Sequence, residues 1–221
     1  MAEIEHPRFA RLWSWAMRHE PRDIVRAREE LLDGLSGRVL EVGAGTGSNF
    51  AHYPAAVTEV VAVEPEATLR DEAADHAAGL AVGTADAPDR RPRITVHDGT
   101  FEALPDAAAG PFDAVVCSLV LCTVPDPERA VATAFDVLRP GGELRYYEHV
   151  ATGGALGGLQ RAVDATFWPR AFGGCHTHRD TVATIRSAGF ESARHRDLRG
   201  APRWTPVPIS PMALGVARRP A

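Results

Sequence analysis

Five short runs rich in β-branched and other apolar residues alternate with helical stretches between residues 38 and 150. They are RVLEV (38–42), EVVAVE (59–64), RITVH (93–97), FDAVVCSL (112–119) and GELRYYEHV (142–150). This alternation is typical of βαβ units, in which crossover helices join parallel strands. A further apolar run, PMALGVARR (211–219), predicts a final strand. We therefore expect an α/β fold around a mainly parallel sheet.

Signals at helix ends support the helices in this pattern. Residues 126–128, Asp-Pro-Glu, combine a capping residue, a proline at the first helical position and an acidic first turn. Residues 140–142, Pro-Gly-Gly, predict the end of that helix. Thr177 and Asp180 resemble a capping box ahead of a helix that Gly189 would terminate.

The first 35 residues have the spacing of two helices. Their apolar faces are Phe9, Leu12, Trp13 and Ala16 in the first helix, and Ile24, Leu31 and Leu35 in the second. We predict an N-terminal helical cap over residues 1–35 and a main domain over residues 36–221, forming a single domain overall. Residues 151–176, rich in glycine and aromatics, are the best candidate for an insertion that covers a substrate.

Composition excludes several classes of protein. The net charge of −5 and the scattered arginines disfavour a nucleic-acid partner. No apolar stretch approaches the roughly 20 residues that span a bilayer, and the N-terminus lacks the apolar core of a secretion signal. Three irregularly spaced cysteines do not indicate a disulfide framework. We expect a cytoplasmic protein without integral membrane association; nothing in the sequence indicates its oligomeric state.

The strongest chemical signal is EVGAGTG, residues 41–47, directly after an apolar strand. Glycines there let the backbone turn sharply and approach a ligand closely. Glu64 ends the second strand, 21 residues after Gly43, where a carboxylate can accept hydrogen bonds from ribose hydroxyls. A dinucleotide-binding turn usually has a glycine where this chain has Ser48. The turn alone leaves open a dinucleotide, another nucleoside cofactor or no ligand.

Downstream motifs favour one family. With the glycine turn, DGTFEALPD (98–106), PFDAVVCSLVLCTVPDPERA (111–130) and LRPGGEL (138–144) resemble the class I S-adenosylmethionine-dependent methyltransferases in order and spacing. The resemblance implies a Rossmann-like, mainly parallel seven-stranded sheet with an antiparallel last strand. It also implies S-adenosylmethionine as cofactor, with S-adenosylhomocysteine as its product.

The resemblance implies a role for each part of the cofactor site. Glu41 would face the methionine amino group, Glu64 the ribose, Thr100 and Phe101 the adenine, and the segment after the fourth strand the methyl group. The full set of implied cofactor contacts is Glu41, Gly43, Ala44, Gly45, Thr46, Gly47, Asn49, Glu64, Pro65, Thr100, Phe101, Cys117, Ser118 and Leu119. The family commonly has an aspartate at the position of Thr100, whose hydroxyl can still accept a hydrogen bond.

A narrower resemblance spans roughly residues 36–217. LEVGAGTGSNFAHYP, SLVLCTVPDPERA, RPGGELRYYEHV and GGCHTHRDT…AGF look like the thiol S-methyltransferase group. Mammalian members of that group are attached to membranes by an N-terminal apolar segment, which this chain lacks. The bacterial relatives have no uniform substrate, and quinone-ring and phosphatidylethanolamine methyltransferases are more distantly similar. The resemblance implies a small, apolar methyl acceptor, with a thiol favoured over an amine, an oxygen or a carbon.

Two histidines are candidates for catalysis. His149 ends the fifth strand at the predicted cofactor edge, where its near-neutral pKa suits it to orient an acceptor or take its proton. A histidine bonded to backbone at a strand end is the alternative. His176 is the second candidate. The residues predicted to contact the substrate are Trp13, Tyr53, Glu148, Phe167, Trp168 and Arg179. Core packing is the alternative for the four aromatic residues, and an ion pair at the start of a helix is the alternative for Arg179.

No metal is predicted from the sequence. Cys175, His176 and His178 lie too close along the chain to form a good tetrahedral zinc site, and a buried, apolar role suits Cys175.

The sequence excludes one other function and leaves two open. A Tyr-x-x-x-Lys oxidoreductase is excluded because the chain contains no lysine. A protein that binds the cofactor without transferring methyl groups, as a non-redox cyclase or a binding module, stays open, as does a lipid-amine or quinone methyltransferase.

Overall fold

The computed structural model describes residues 10, 11, 13–15, 20–81, 91–200 and 207–221, and the backbone of residue 82. Its strands are β1 (Gly37–Val42), β2 (Val57–Val63), β3 (Arg93–His97), β4 (Phe112–Ser118), β5 (Leu138–His149), β6 (Glu191–Arg199) and β7 (Pro211–Arg218). Its α-helices are α1 (Arg22–Leu32), α2 (Ala67–Val82), α3 (Pro127–Val137), α4 (Gly154–Asp164), α5 (Trp168–Ala171) and α6 (Thr181–Ser187).

The seven strands form one sheet in the order β3-β2-β1-β4-β5-β7-β6. Neighbouring strands from β3 to β5 are parallel, and β7 runs antiparallel to both β5 and β6. The prediction of a mainly parallel seven-stranded sheet with an antiparallel last strand is therefore confirmed. The strand order reverses between β1 and β4, and in open α/β sheets this switch point is where ligands bind.

Both faces of the sheet are covered by helices. One apolar layer includes Phe112, Val131 and Ile185, and the other includes Leu31 and Val60. Burial on both sides explains why the central strands are continuous apolar runs. The edge strand β6 is different, since nearly every residue along ESARHRDLR is exposed. Charged residues along an edge strand oppose its pairing with another chain. They also make the strand hard to predict from its sequence, because it has no apolar run.

The cap of α3 is as predicted, whereas that of α6 needs a correction. Asp126 caps α3 by accepting a hydrogen bond from the Arg129 backbone N–H at 2.9 Å. Asp180, not Thr177, caps α6, accepting from the Ala183 N–H at 3.0 Å. Thr177 instead donates its backbone N–H and its hydroxyl to Asp164. Helix α3 ends at Val137 and β5 begins at once, so residues 140–142 lie within the strand.

The N-terminal prediction is only partly covered by the described residues. The backbone is helical at residues 10, 11 and 13–15, while Phe9, Leu12 and Ala16 lie outside the described part. Leu31 and Leu32 of α1 are fully buried against the sheet. Among the described residues, no helix is both long and apolar enough to cross a membrane.

Candidate active site

A cavity of about 660 Å³ lies at the carboxyl edge of the sheet, where β1, β2, β4 and β5 end. This size suits a small-molecule site. The predicted cofactor and substrate residues in its wall are Trp13, Gly43, Gly45, Glu64, Pro65, Thr100, Phe101, Ser118, Leu119, His149 and Trp168. Those placed outside the wall are Glu41, Ala44, Thr46, Gly47, Asn49, Tyr53, Cys117, Glu148, Phe167, His176 and Arg179.

The glycine turn forms the floor of the cavity at the end of β1. The backbone N–H of Gly43 donates to the Val63 carbonyl at 2.8 Å, which fixes the turn to the neighbouring strand β2. Gly45 has φ +57°, and a Cβ there would lie 3.3 Å from the Trp13 indole nitrogen. Gly47 has φ +75°, and a Cβ there would meet the Phe50 ring at 2.5 Å. The turn therefore needs glycine both for its backbone conformation and for its close approach to aromatic rings.

Glu64 joins the end of β2 to this turn. Its carboxylate accepts hydrogen bonds from the backbone N–H groups of Gly45 at 2.8 Å and Glu66 at 3.0 Å. Burial raises the pKa of Glu64, and these two hydrogen bonds oppose the shift. An ionised carboxylate offers about four lone-pair sites, so acceptor capacity remains for hydroxyl groups of a ligand in the cavity.

Glu41 lies behind the turn, within a buried polar network. Its two carboxylate oxygens accept from Asn49 Nδ2 and from the Tyr53 hydroxyl, each at 2.7 Å. Arg28 was not among the residues predicted from the sequence. It donates to Asn49 Oδ1 at 2.8 Å and forms an ion pair with Glu20. This corrects the prediction for Tyr53, because its hydroxyl is bound to Glu41 and is not in the cavity wall.

Burial raises the pKa of Glu41 to about 7, although both hydrogen bonds and Arg28 lower it. The pKa of this carboxyl is therefore higher in the folded protein than in the unfolded chain, where it is 4.5. The stabilisation is fully present below pH 4.5 and is lost as the pH rises through about 7.

We predict that Glu41→Gln flattens the dependence of stability on pH. Between pH 4.5 and 7, the unfolding free energy of the native protein should fall, relative to the variant, by roughly 2–3 kcal/mol. Urea unfolding of both proteins across this range measures the difference. Parallel curves for the two proteins would contradict the raised pKa of Glu41.

The turn after β4 is held by Glu148. This side chain is fully buried, and its carboxylate accepts from the backbone N–H groups of Val120 and Leu121 at 2.9 Å and of Cys122 at 3.1 Å. The prediction of a substrate contact for Glu148 is therefore corrected, because its oxygens are occupied by the turn. Leu119 begins the turn at φ +63°, a conformation rare for a residue with a side chain.

His176 and Arg179 also hold the turn after β4 in place. Arg179 donates to the carbonyls of Leu121 at 2.8 Å and Val124 at 2.7 Å, and it lies 3.0 Å from His176 Nδ1. The backbone N–H of His176 donates to the Cys122 carbonyl at 2.7 Å. Both residues were predicted to act in the site directly, but the structure gives them contacts with protein backbone instead.

Aromatic side chains form one wall of the cavity. Trp168 and Phe172 stack with ring centroids 4.1 Å apart, and both line the cavity. Phe167, predicted to contact the substrate, is 54% exposed, packs edge-on against Trp168 and does not line the cavity. The predicted insertion, residues 151–176, contains α4 (Gly154–Asp164) and α5 (Trp168–Ala171) and contributes Trp168 to the cavity.

Two thiols and an imidazole meet in the wall of the cavity. Cys175 Sγ lies 3.4 Å from His149 Nδ1 and 4.0 Å from Cys122 Sγ. The contact between the thiols raises the pKa of Cys122 and lowers that of Cys175. Burial lowers the pKa of His149, but the Cys122 thiol together with the charges of Glu148 and Asp164 outweighs this effect, so the pKa is raised. Cys122 was not among the residues predicted from the sequence, because it lies 53 residues from Cys175.

Comparisons with known proteins show which family the chain resembles. Residues 16–182 match the family model of a methyltransferase domain. Thiol S-methyltransferase TMT1B of Homo sapiens is 32% identical over 193 residues, which cover 84% of this chain and 73% of the relative.

Two solved structures share the fold. The [4+2]-cyclase SpnF has a TM-score of 0.67 at 20% identity, covering 90% of this chain and 81% of its own. N-methyltransferase NodS from Bradyrhizobium japonicum WM9, in complex with S-adenosylhomocysteine, has a TM-score of 0.64 at 16% identity, covering 94% and 92%. At these identities the likeness concerns the fold alone. The family match and the similarity over most of the chain decide the assignment: this protein belongs to the class I S-adenosylmethionine-dependent methyltransferases.

Proposed function

We propose that this enzyme transfers the methyl group of S-adenosylmethionine to the sulfur of a small, largely apolar thiol. One observation carries the proposal: the cavity has two chemically different ends. Its carboxylates, Glu64, Glu66 and Glu102, lie with the segments that follow β2 and β3. The segments after β4 and α5 contribute an apolar and aromatic wall without a charged side chain, apart from His149 at the end of β5.

The carboxylate end suits the cofactor. Glu64 would accept hydrogen bonds from the ribose hydroxyls, and Thr100 and Phe101 would contact the adenine. The amino-acid part would lie against the backbone at Gly43 and Gly45, which line the cavity without a side chain. When bound, the cofactor supplies a methyl group on a positively charged sulfur. Placement by the turn and exclusion of water by the aromatic wall are what this chain would contribute to the rate.

The apolar end favours a thiol over charged acceptors. Among the described residues, no arginine lines the cavity to pair with a phosphate, and no carboxylate lines its apolar end to hold an ammonium. An uncharged, apolar thiol needs neither an arginine nor a carboxylate to bind. A thiol of pKa near 8.5 is partly ionised at neutral pH, so modest help suffices to form the nucleophile. The relatives named as thiol S-methyltransferases support the same choice.

A matched set of acceptors tests the proposal. Benzenethiol, phenol and aniline share one shape and differ in the accepting atom. Release of S-adenosylhomocysteine, with the methylated product identified by mass, should be at least about tenfold faster for benzenethiol, because its thiolate is the best nucleophile at neutral pH. A faster reaction with phenol or aniline would contradict a thiol acceptor. The same assay without acceptor gives the background.

A further inference from the structure

The strongest unassigned feature is the group formed by Cys122, His149 and Cys175. Cys122 lies in the turn after β4, His149 at the end of β5 and Cys175 in the turn after α5. Their Sγ and ring nitrogen atoms all lie within 4.8 Å of one another. All three residues line the cavity. Three segments distant in sequence thus bring soft donor atoms to one point at the apolar end of the site.

The spacing of these atoms matches one face of a tetrahedral zinc site. Bond lengths of about 2.3 Å to sulfur and 2.0–2.1 Å to nitrogen place the ligand atoms roughly 3.6–3.8 Å apart. The observed separations are 4.0 Å between the two sulfurs and 3.4 Å from Cys175 Sγ to His149 Nδ1. The third separation, from Cys122 Sγ to the His149 ring nitrogen, is less than 4.8 Å. Shifts of at most roughly 1.2 Å would therefore bring the three ligands to bonding distance of one ion.

We propose that Cys122, His149 and Cys175 bind one Zn²⁺ ion, whose fourth position faces the cavity. Three protein ligands with one open position are typical of catalytic zinc sites. Two thiolates and a neutral imidazole balance the charge of the ion. The buried site would therefore carry no net charge, which suits its apolar surroundings.

The surrounding hydrogen bonds hold the first of these ligands in place. Glu148 accepts from the backbone N–H of Cys122, and the Cys122 carbonyl accepts from the backbone N–H of His176. Arg179 binds the carbonyls on either side, at Leu121 and Val124. Such outer contacts orient metal ligands and commonly change metal affinity 10- to 100-fold when removed.

The inferred ion would bind the acceptor thiol in the proposed reaction, and this part of the inference rests on the proposed function. An acceptor thiol would lose its proton to bulk water before it enters the site and would take the fourth position as its thiolate. Its sulfur would then form a bond to the methyl carbon while the carbon–sulfonium bond breaks, and that electron pair would stay on the departing sulfur. The product thioether carries no charge and is a weaker ligand than the thiolate, which favours its release.

Binding of Co²⁺ by the metal-stripped full chain tests the site without measuring turnover. We expect one equivalent of Co²⁺ to bind, with an intense thiolate-to-cobalt charge-transfer band and the visible bands of tetrahedral cobalt. Zn²⁺ should then abolish both signals. Cys175→Ser and His149→Gln should each weaken binding by at least about 100-fold, the upper end of the effect of losing an outer contact.

Cys117→Ser is the matched control, because Cys117 is a buried thiol of β4 outside the group. It should keep the charge-transfer band. Circular dichroism shows whether each variant is folded. If Cys175→Ser is unfolded, the titrations of His149→Gln and of the wild type decide whether the metal site exists. Absence of stoichiometric binding would overturn the proposal, as would an unchanged band in Cys122→Ser/Cys175→Ser. So would a Cys122–Cys175 disulfide in protein purified without reductant.

The outcomes for the metal and for the acceptor are separable. Cobalt binding by a protein that does not methylate benzenethiol would contradict the proposed function and leave the metal site standing. Full thiol methylation by protein that lacks the ion would support the function and overturn the metal's part in it.

Discussion

Glu148→Ala is expected to lower the free energy of unfolding by about 3–5 kcal/mol. Three backbone N–H groups, those of Val120, Leu121 and Cys122, would lose their acceptor in a fully buried place. Each unpaired buried donor costs about 1–3 kcal/mol, and partial access of water keeps the sum below the maximum. Urea or guanidinium unfolding at neutral pH measures the loss.

Two comparisons sharpen this prediction. Glu148→Gln keeps one oxygen for two of the donors but sets an amide N–H against the third, so a smaller loss of about 1–3 kcal/mol is expected. Glu191→Ala removes an exposed carboxylate from β6 and should change stability by less than about 0.5 kcal/mol. A loss below about 1 kcal/mol in Glu148→Ala would show that the turn finds other acceptors.

Glu64→Ala is expected to weaken binding of S-adenosylhomocysteine by about 10- to 150-fold, or roughly 1.5–3 kcal/mol. The variant would lose the acceptor proposed for the ribose hydroxyls and would release the N–H groups of Gly45 and Glu66. Titration calorimetry gives the affinity, and thermal unfolding without ligand shows whether the variant is folded.

Asp98→Asn is the matched control for Glu64→Ala. Asp98 follows β3 at the same edge of the sheet, but its side chain is 74% exposed. Its replacement should change the affinity for S-adenosylhomocysteine by less than about twofold, because exposed charges are well screened. Unchanged affinity in folded Glu64→Ala would rule out the ribose role.

The central sheet was predictable because its strands are buried on both faces and keep a continuous apolar pattern. The glycine turn and Glu64 were found for a similar reason, since each directly follows such a strand. Strand β6 was not among the predicted runs, because its exposed residues resemble a polar loop. Local composition thus indicates a strand only where burial restricts its residues to apolar types.

Side-chain partners across the fold were much harder to predict. Nothing near Tyr53 in the sequence indicates that its hydroxyl binds Glu41, and nothing near Arg28 indicates Asn49. The thiols of Cys122 and Cys175 meet only because the turns after β4 and α5 converge. Such contacts depend on how loops from separate βα units pack, and no periodic pattern records that packing.

The position of Trp13 has a consequence for how quickly ligands exchange. Its indole nitrogen lies where a Cβ on Gly45 would point, and the ring forms part of the cavity wall. The adjacent Ser14 hydroxyl donates to Glu72 of α2 at 2.7 Å, which ties this helical segment to the body of the protein. A ligand that fills the cavity would meet both the glycine turn and this indole, since both line it. The Ser14–Glu72 contact therefore helps to hold one side of the ligand site in place, and its strength bears on how long spent cofactor stays bound.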